Sequence, residues 1–244
     1  QERANSRLVS SATLTMSLAD NLKALQDRIA NACARAGRDP ASVALVAVSK
    51  GHPPETVCAA ADLGVTVFGE NRVQEAKAKI PLCPGRLKWH MVGHLQTNKV
   101  RDALALFDMI HSVDSLHLAT EINKAAERLS RFVPILLEVN VAGESTKYGY
   151  NPDKLLAELP MLNALPRLEI RGLMTMAPWT PDPERVRPVF RRLRELKLKC
   201  EDILGAPMEH LSMGMSGDFE VAIEEGATMV RIGTALFGER PKKD

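Results

Sequence analysis

The strongest constraint on the fold is a repeat of pattern. Between Val43 and Phe237, eight short apolar runs alternate with segments of helical spacing. The runs are Val43–Ser49, Val65–Gly69, Lys88–Gly93, Met109–Asp114, Val133–Val141, Leu168–Met176, His210–Met215 and Met229–Phe237. Helices are expected between them over Glu55–Leu63, Arg72–Ile80, Val100–Leu106, Leu116–Leu129, Lys154–Leu162, Pro183–Leu204 and Phe219–Glu225. A run such as VALVAVS has no polar face, so it fits a strand buried on both sides, as in a parallel sheet. Strict alternation over a chain of 244 residues is the pattern of an α/β protein built as a single (β/α)8 TIM barrel. An open doubly wound sheet is the alternative, but no G-x-G-x-x-G follows the first run. One extra helix comes first. Ser17 and Asp20 form a capping box, Leu18, Leu22, Leu25, Ile29 and Cys33 follow at helical spacing, and Gly37 closes it. Residues 16–244 are therefore expected to be one domain. The Ser/Thr/Arg-mixed residues 1–15 are expected to be a disordered extension.

Composition narrows the function classes. The net charge is +2 and aromatics are 4%, which argues against a nucleic-acid partner. No run is long enough to span a bilayer, and residues 1–15 lack the apolar core of a secretory signal. Cys33, Cys58, Cys83 and Cys200 are widely spaced, with no CxxC pair. They read as reduced thiols in a cytoplasmic protein, not as a disulfide frame or zinc site. No His/Asp/Glu set has metal-ligand spacing. The basic run Arg187, Arg191, Arg192, Arg194, Lys197 and Lys199 reads as the solvated face of an amphipathic helix.

In such a barrel, chemistry gathers at the C-terminal strand ends. The first run ends in Lys50, and a buried ammonium is costly unless it is paired, neutralised or used. Lys50 is therefore a candidate Schiff-base lysine; the alternative is that it marks the strand's exit into solvent. Polar residues also end the other runs: Glu70 and Asn71, His94, Asn140, Thr175, Ser212 and Ser216, and Arg231 with Gly233 and Thr234. The loops after strands seven and eight are the usual phosphate cradle of this fold. Ser212 to Ser216 could equally be only a helix cap, and Arg231 only an ion-pair partner. Taken with the lysine, they point to a phosphate-bearing aldehyde cofactor. His90 and His111 lie inside strands and read as core or supporting groups.

The segments LVAVSK (45–50), FGENRVQE (68–75), KWHMVGHLQTNK (88–99), SVDS (112–115), EVNVAGESTKYG (138–149), RGLMTM (171–176), HLSMGMSGDF (210–219) and VRIGTALFGER (230–240) closely resemble the pyridoxal phosphate homeostasis proteins. These are relatives of the N-terminal barrel of alanine racemase, the type III fold of pyridoxal-phosphate proteins. Gly51-His52 and Arg72 depart from the family's usual residues without touching the lysine. The resemblance implies that Lys50 holds pyridoxal 5′-phosphate as a Schiff base and that Arg231 faces the pyridine nitrogen. An arginine there cannot be deprotonated, so the ring becomes a weaker electron sink. The resemblance also places the phosphate on Ser216, Gly233 and Thr234, with Ser212 and Met213 nearby. Asn71 and Asn140 would line the ring side, and His94 the rim. It further implies a monomer that holds the cofactor and passes it to apo-enzymes.

The rival is a pyridoxal-phosphate racemase. That chemistry needs an acid/base on each face of the substrate, and in alanine racemase the second base comes from an additional β-rich domain. The chain stops shortly after strand eight, so that domain is expected to be missing and the carrier is the preferred reading.

Overall fold

In the computed structural model, which describes residues 16–241, the expected helix opening is present. Ser17 accepts from the Asp20 backbone, and the Asp20 carboxylate accepts from the Ser17 N–H. Helix α1 then runs Leu18–Arg35, buries Leu22, Leu25, Ile29, Ala32 and Cys33, and ends before Gly37, whose φ is +64°. The expectation for residues 1–15 lies outside the described residues.

The alternation closes as a barrel. Strands β1 (Ala44–Val48), β2 (Val67–Glu70), β3 (Lys88–Met91), β4 (Met109–Val113), β5 (Val133–Glu138), β6 (Leu168–Met174), β7 (His210–Ser212) and β8 (Met229–Ile232) pair in sequence order, all parallel. Closure is made by β8 pairing back onto β1, with Val46 opposite Arg231. Helices α2 (Pro54–Asp62), α3 (Val73–Lys79), α4 (Val100–Leu106), α5 (Leu116–Arg128), α6 (Pro152–Asn163), α7 (Arg187–Leu204) and α8 (Phe219–Glu224) follow strands one to seven.

The eighth run departs from expectation. Met229–Phe237 is not one strand: β8 stops at Ile232 and Thr234–Phe237 forms the short helix α9. Gly233, at φ −112° and ψ −79°, turns the chain out of the extended geometry, and Ser216 Oγ accepts from the Ala235 N–H in the first turn of the helix. The apolar residues Leu236 and Phe237 then face the helical layer, which a hydrophobic run alone does not distinguish from a longer strand.

Two apolar layers follow from strand alternation. Val46, Val48, Val92, Leu136, Met174 and Met229 form a cluster to which no helix contributes, the filling of the barrel itself. The opposite strand faces carry Ala47, Phe68, Trp89, Ile110, Ile135, Leu137, Leu173 and Val230 into the larger core beneath the helices. The basic residues of α7 are more than a solvated face. Arg187, Arg191 and Arg194 converge on the buried Glu225 at 3.3, 3.0 and 3.0 Å, tying α7 to the end of α8.

Close packing at the rim sets the site. A Cβ on Gly93, just past β3, would lie 2.2 Å from the carbonyl oxygen of Asn71. Only glycine lets the end of strand three approach the turn after β2. Gly93→Ala is expected to cost about 3 kcal/mol in urea unfolding by overpacking backbone against backbone. Gly85→Ala, with nothing within 4 Å, is expected to be close to neutral.

Candidate active site

Lys50 lies two residues past the end of β1, in phase with the inward-facing Val46 and Val48, and its side chain enters the barrel mouth. The backbone around it is held by a polar knot. The Lys79 ammonium, 5% exposed, donates to Ser49 O at 2.7 Å, Glu70 Oε1 at 2.5 Å and Glu75 Oε1 at 3.0 Å. Its three protons therefore have three acceptors. Glu70 also accepts from Ser49 Oγ at 2.7 Å, and Glu75 from the Gly51 N–H at 2.6 Å. Residues 49 and 51 are thus clamped on either side of Lys50, and Gly51 takes the left-handed φ of +76° that the turn needs. Burial lowers the pKa of Lys50, Arg240 lowers it further, and Glu75 and Glu70 pull against both. A lowered ammonium pKa leaves more of the nucleophilic free amine near neutrality.

Lys50 opens into a cavity of about 450 Å3, within the roughly 300–1,000 Å3 range of small-molecule sites. Arg231 forms its floor and is 4% exposed. Its Nη1 donates to Ser212 Oγ at 2.6 Å and its Nη2 to Thr175 O at 2.9 Å. Among the described residues no carboxylate comes within ion-pair distance of it. Burial pushes its pKa down to about 10, with Glu138 and Asp218 pulling the other way. It remains a cation at any working pH.

One wall is made by Ser216, Gly217, Gly233 and Thr234. Ser216 Oγ accepts from the Ala235 N–H at 3.1 Å, joining the turn after β7 to the start of α9. Asp218 shapes that turn by accepting from the Met215 N–H at 2.7 Å. Among the described residues the lining cations Lys50, Arg231 and Arg240 face a single lining carboxylate, Asp218, whose pKa burial raises. A cavity of that balance favours an anion.

Of the residues expected from sequence, Lys50, Asn71, Ser216, Gly233, Thr234 and Arg231 share the cavity. Ser212 and Met213 do not line it: both are fully buried, Ser212 beneath Arg231 and Met213 in the core. Asn140 is also outside the lining. Its side chain donates to Glu144 O at 2.7 Å and accepts from the Gly143 N–H at 3.1 Å, ordering the loop after β5. His94 lies at the rim, stacked on Tyr148 with ring centres 3.7 Å apart. Sequence reading missed His52, Met176, Trp179, Met215 and Arg240 in the lining, and the Glu75–Lys79 half of the knot. Lys79 was findable, since a lysine on the strand-facing side of α3, nine residues after Glu70, sits where only a paired ammonium is tolerated. Trp179 is 85% exposed at the mouth and has no sequence signal beyond its type.

The matching family model is the alanine racemase N-terminal domain, over residues 21–241. The pyridoxal phosphate homeostasis protein of Aquifex aeolicus is 46% identical over 226 residues, covering 92% of this chain and 99% of that one. The structure of PipY from Synechococcus elongatus PCC7942 with pyridoxal phosphate bound superposes with a TM-score of 0.81 at 39% identity, covering 91% of this chain and all of PipY. Alanine racemase of Clostridium difficile 630, at 19% identity and a TM-score of 0.69, shares the fold over 92% of this chain and 58% of its own. The chain belongs to the alanine racemase N-terminal domain family, and within it to the pyridoxal phosphate homeostasis proteins. Among the described residues no helix is long and apolar enough to cross a membrane, and no cluster of three metal-ligating side chains occurs.

Two outcomes are expected. Lys79→Met leaves Glu70 buried without its partner and should cost about 3–5 kcal/mol in urea unfolding, with Lys79→Met/Glu70→Leu recovering more than half. The second concerns Glu138, 6% exposed at the end of β5. Burial and Asp114 push its carboxyl up to about 7, against the pull of Arg231. Between about pH 4.5 and 7 the folded chain then holds a proton that the unfolded chain has lost, so stability falls as pH rises through that window. Glu138→Gln should remove this fall, on the order of 2 kcal/mol, in Tm measured against pH.

Proposed function

We propose that this chain holds pyridoxal 5′-phosphate in the barrel mouth and serves the cell's supply of that cofactor. The observation that carries the reading is the meeting of Lys50 and Arg231 in one cavity beside the Ser216–Gly217 and Gly233–Thr234 wall. The donor set fits the group: an amine of lowered pKa, a buried guanidinium without a carboxylate, and hydroxyls and small residues about a space of positive balance. Relatives named for pyridoxal phosphate homeostasis, and the bound state of PipY, support the same reading.

When bound, the cofactor supplies an aldehyde for covalent attachment, a conjugated pyridine ring and a phosphate dianion. Lys50 would hold the aldehyde carbon, on a backbone that the knot beneath it keeps rigid. Ser216, Gly217, Gly233 and Thr234 would hold the phosphate with hydroxyls and backbone N–H groups. Arg231, a guanidinium that stays charged near neutral pH, would serve the ring nitrogen as a donor and would not supply it with a proton, which would restrain carbanion chemistry on the ring. Asn71 would line the ring side from the end of β2.

The role is one of holding and release rather than turnover. The names of the curated relatives support it, and the exposed Trp179 beside the opening fits a site from which a ligand leaves freely. Transfer to apo-enzymes belongs to the same proposal.

Borohydride reduction of the loaded protein should place the adduct on Lys50 by peptide mass analysis, and Lys50→Ala should remove it. A protein left unlabelled after incubation with pyridoxal phosphate would overturn the reading. In deuterated water the loaded protein should leave the Cα protons of amino acids unexchanged on the timescale of an enzyme assay. Rapid stereospecific exchange would make it a racemase.

A further inference from the structure

Below Arg231 lies a chain of buried polar groups that holding the cofactor does not itself require. Ser212 Oγ, on β7, lies 2.9 Å from His111 Nδ1 on β4, and His111 Nε2 lies 2.9 Å from His90 Nδ1 on β3. Ser212 and His111 are fully buried, and His90 is 7% exposed. Three strands thus send a continuous line of hydrogen bonds through the barrel filling to the guanidinium on a fourth.

The direction of that line follows from counting protons. Arginine only donates, so Ser212 Oγ must accept from Arg231. The hydroxyl's own proton then needs an acceptor, and His111 Nδ1 is the remaining partner at hydrogen-bond distance. If Nδ1 carried a proton instead, the Ser212 hydroxyl would accept twice and leave its own proton buried and unpaired, which is expensive. His111 therefore holds its proton on Nε2 and donates to His90 Nδ1. Both rings stay neutral: burial holds His111 well below its ordinary pKa, with His90 and Arg231 adding to the effect, and pushes His90 down to about 4.

We propose that Ser212 and His111 are positioning residues, and that the one-way line Arg231→Ser212→His111→His90 fixes the plane and direction in which the Arg231 guanidinium meets a ligand in the cavity. Thr175 O is the second anchor of the same guanidinium. With Ser212 oriented as an acceptor, Nη1 is pinned away from the opening. A serine free to rotate would let the guanidinium turn. The polarity matters more than the residue type, because any group that accepts from Ser212 and donates to His90 serves equally.

The assignment of Arg231 to the ring nitrogen rests on the reading above; the tautomer does not. Two measurements separate them. In 15N-labelled protein without cofactor, long-range 1H–15N spectra should show His111 protonated on Nε2 and bare on Nδ1, and a His111 protonated on Nδ1 would overturn the line. In loaded protein, Ser212→Ala and His111→Phe should move the visible band of the bound cofactor in the direction Arg231→Lys moves it. Each should weaken retention about tenfold, the scale of one lost hydrogen bond to a charged group. His111→Gln, whose amide accepts and donates in the same sense, should keep the parent band. Ser212→Ala on the Arg231→Lys background should add no further shift. Unmoved bands in both Ser212→Ala and His111→Phe, or full additivity with Arg231→Lys, would sink the positioning role. A parent protein that takes up no cofactor, with His111 still protonated on Nε2, would sink the cofactor reading and this use of the line with it.

Discussion

Everything at the mouth of this barrel depends on one buried ammonium with all its protons used. Lys79 has no business in a protein interior by its transfer energy, and it is tolerated because Ser49 O, Glu70 and Glu75 meet it in three directions. The same acceptors reach around to Ser49 Oγ and the Gly51 N–H. A charge pair of this kind adds little net stability over an apolar one. Its contribution is geometric: β1 and α3 cannot slide past each other without stranding a charge. Lys50, held between Ser49 and Gly51, inherits that rigidity.

The barrel mouth separates two lysines and two arginines by environment. Lys79, beneath the cavity, is paired on all sides, whereas Lys50 has no ion-pair partner among the described residues, is half-buried and is shifted toward the free amine. Arg231 is buried against neutral acceptors, and Arg240 stands at the opening. The cations that line the cavity are ones with no carboxylate at ion-pair distance among the described residues, so positive charge is left uncancelled where an anion could use it. The carboxylates nearby, Glu138 and Asp218, are pushed by burial toward their neutral forms, which limits how much of that charge they cancel.

The parallel barrel was legible because strands buried on both faces have no polar alternation, and because Gly and Pro punctuate each unit. Thr234–Phe237 departs from the strand pattern for a physical reason: a single helical turn that buries Leu236 and half-buries Phe237 has the same apolar composition as the end of a strand. Lys50 and Arg231 were legible because a charge at the end of an apolar strand is expensive. Ser212, Met213 and Asn140 are drawn to the cofactor by the family resemblance and by their place at strand ends. Their positions in space separate them, since a strand sends successive side chains to opposite faces and a loop asparagine satisfies its own loop. The line from His90 to Arg231 was not legible at all. It joins four strands through inward-facing positions, and only the closed register brings those positions to hydrogen-bond distance.

Closure of β8 on β1 has a consequence for when the protein acquires its site. Lys50 rides on the first strand, and Arg231, Gly233 and Thr234 on the last and its following turn. A growing barrel carries the amine from its first strand, but the rest of the pocket is not made until β8 and the turn after it are available. Any ligand that bridges the two strands also fastens the seam where the sheet joins itself, so occupancy and completion of the barrel are thermodynamically linked. Scarcity of that ligand would then be felt first as a loosening of the seam, in β1 and β8 together.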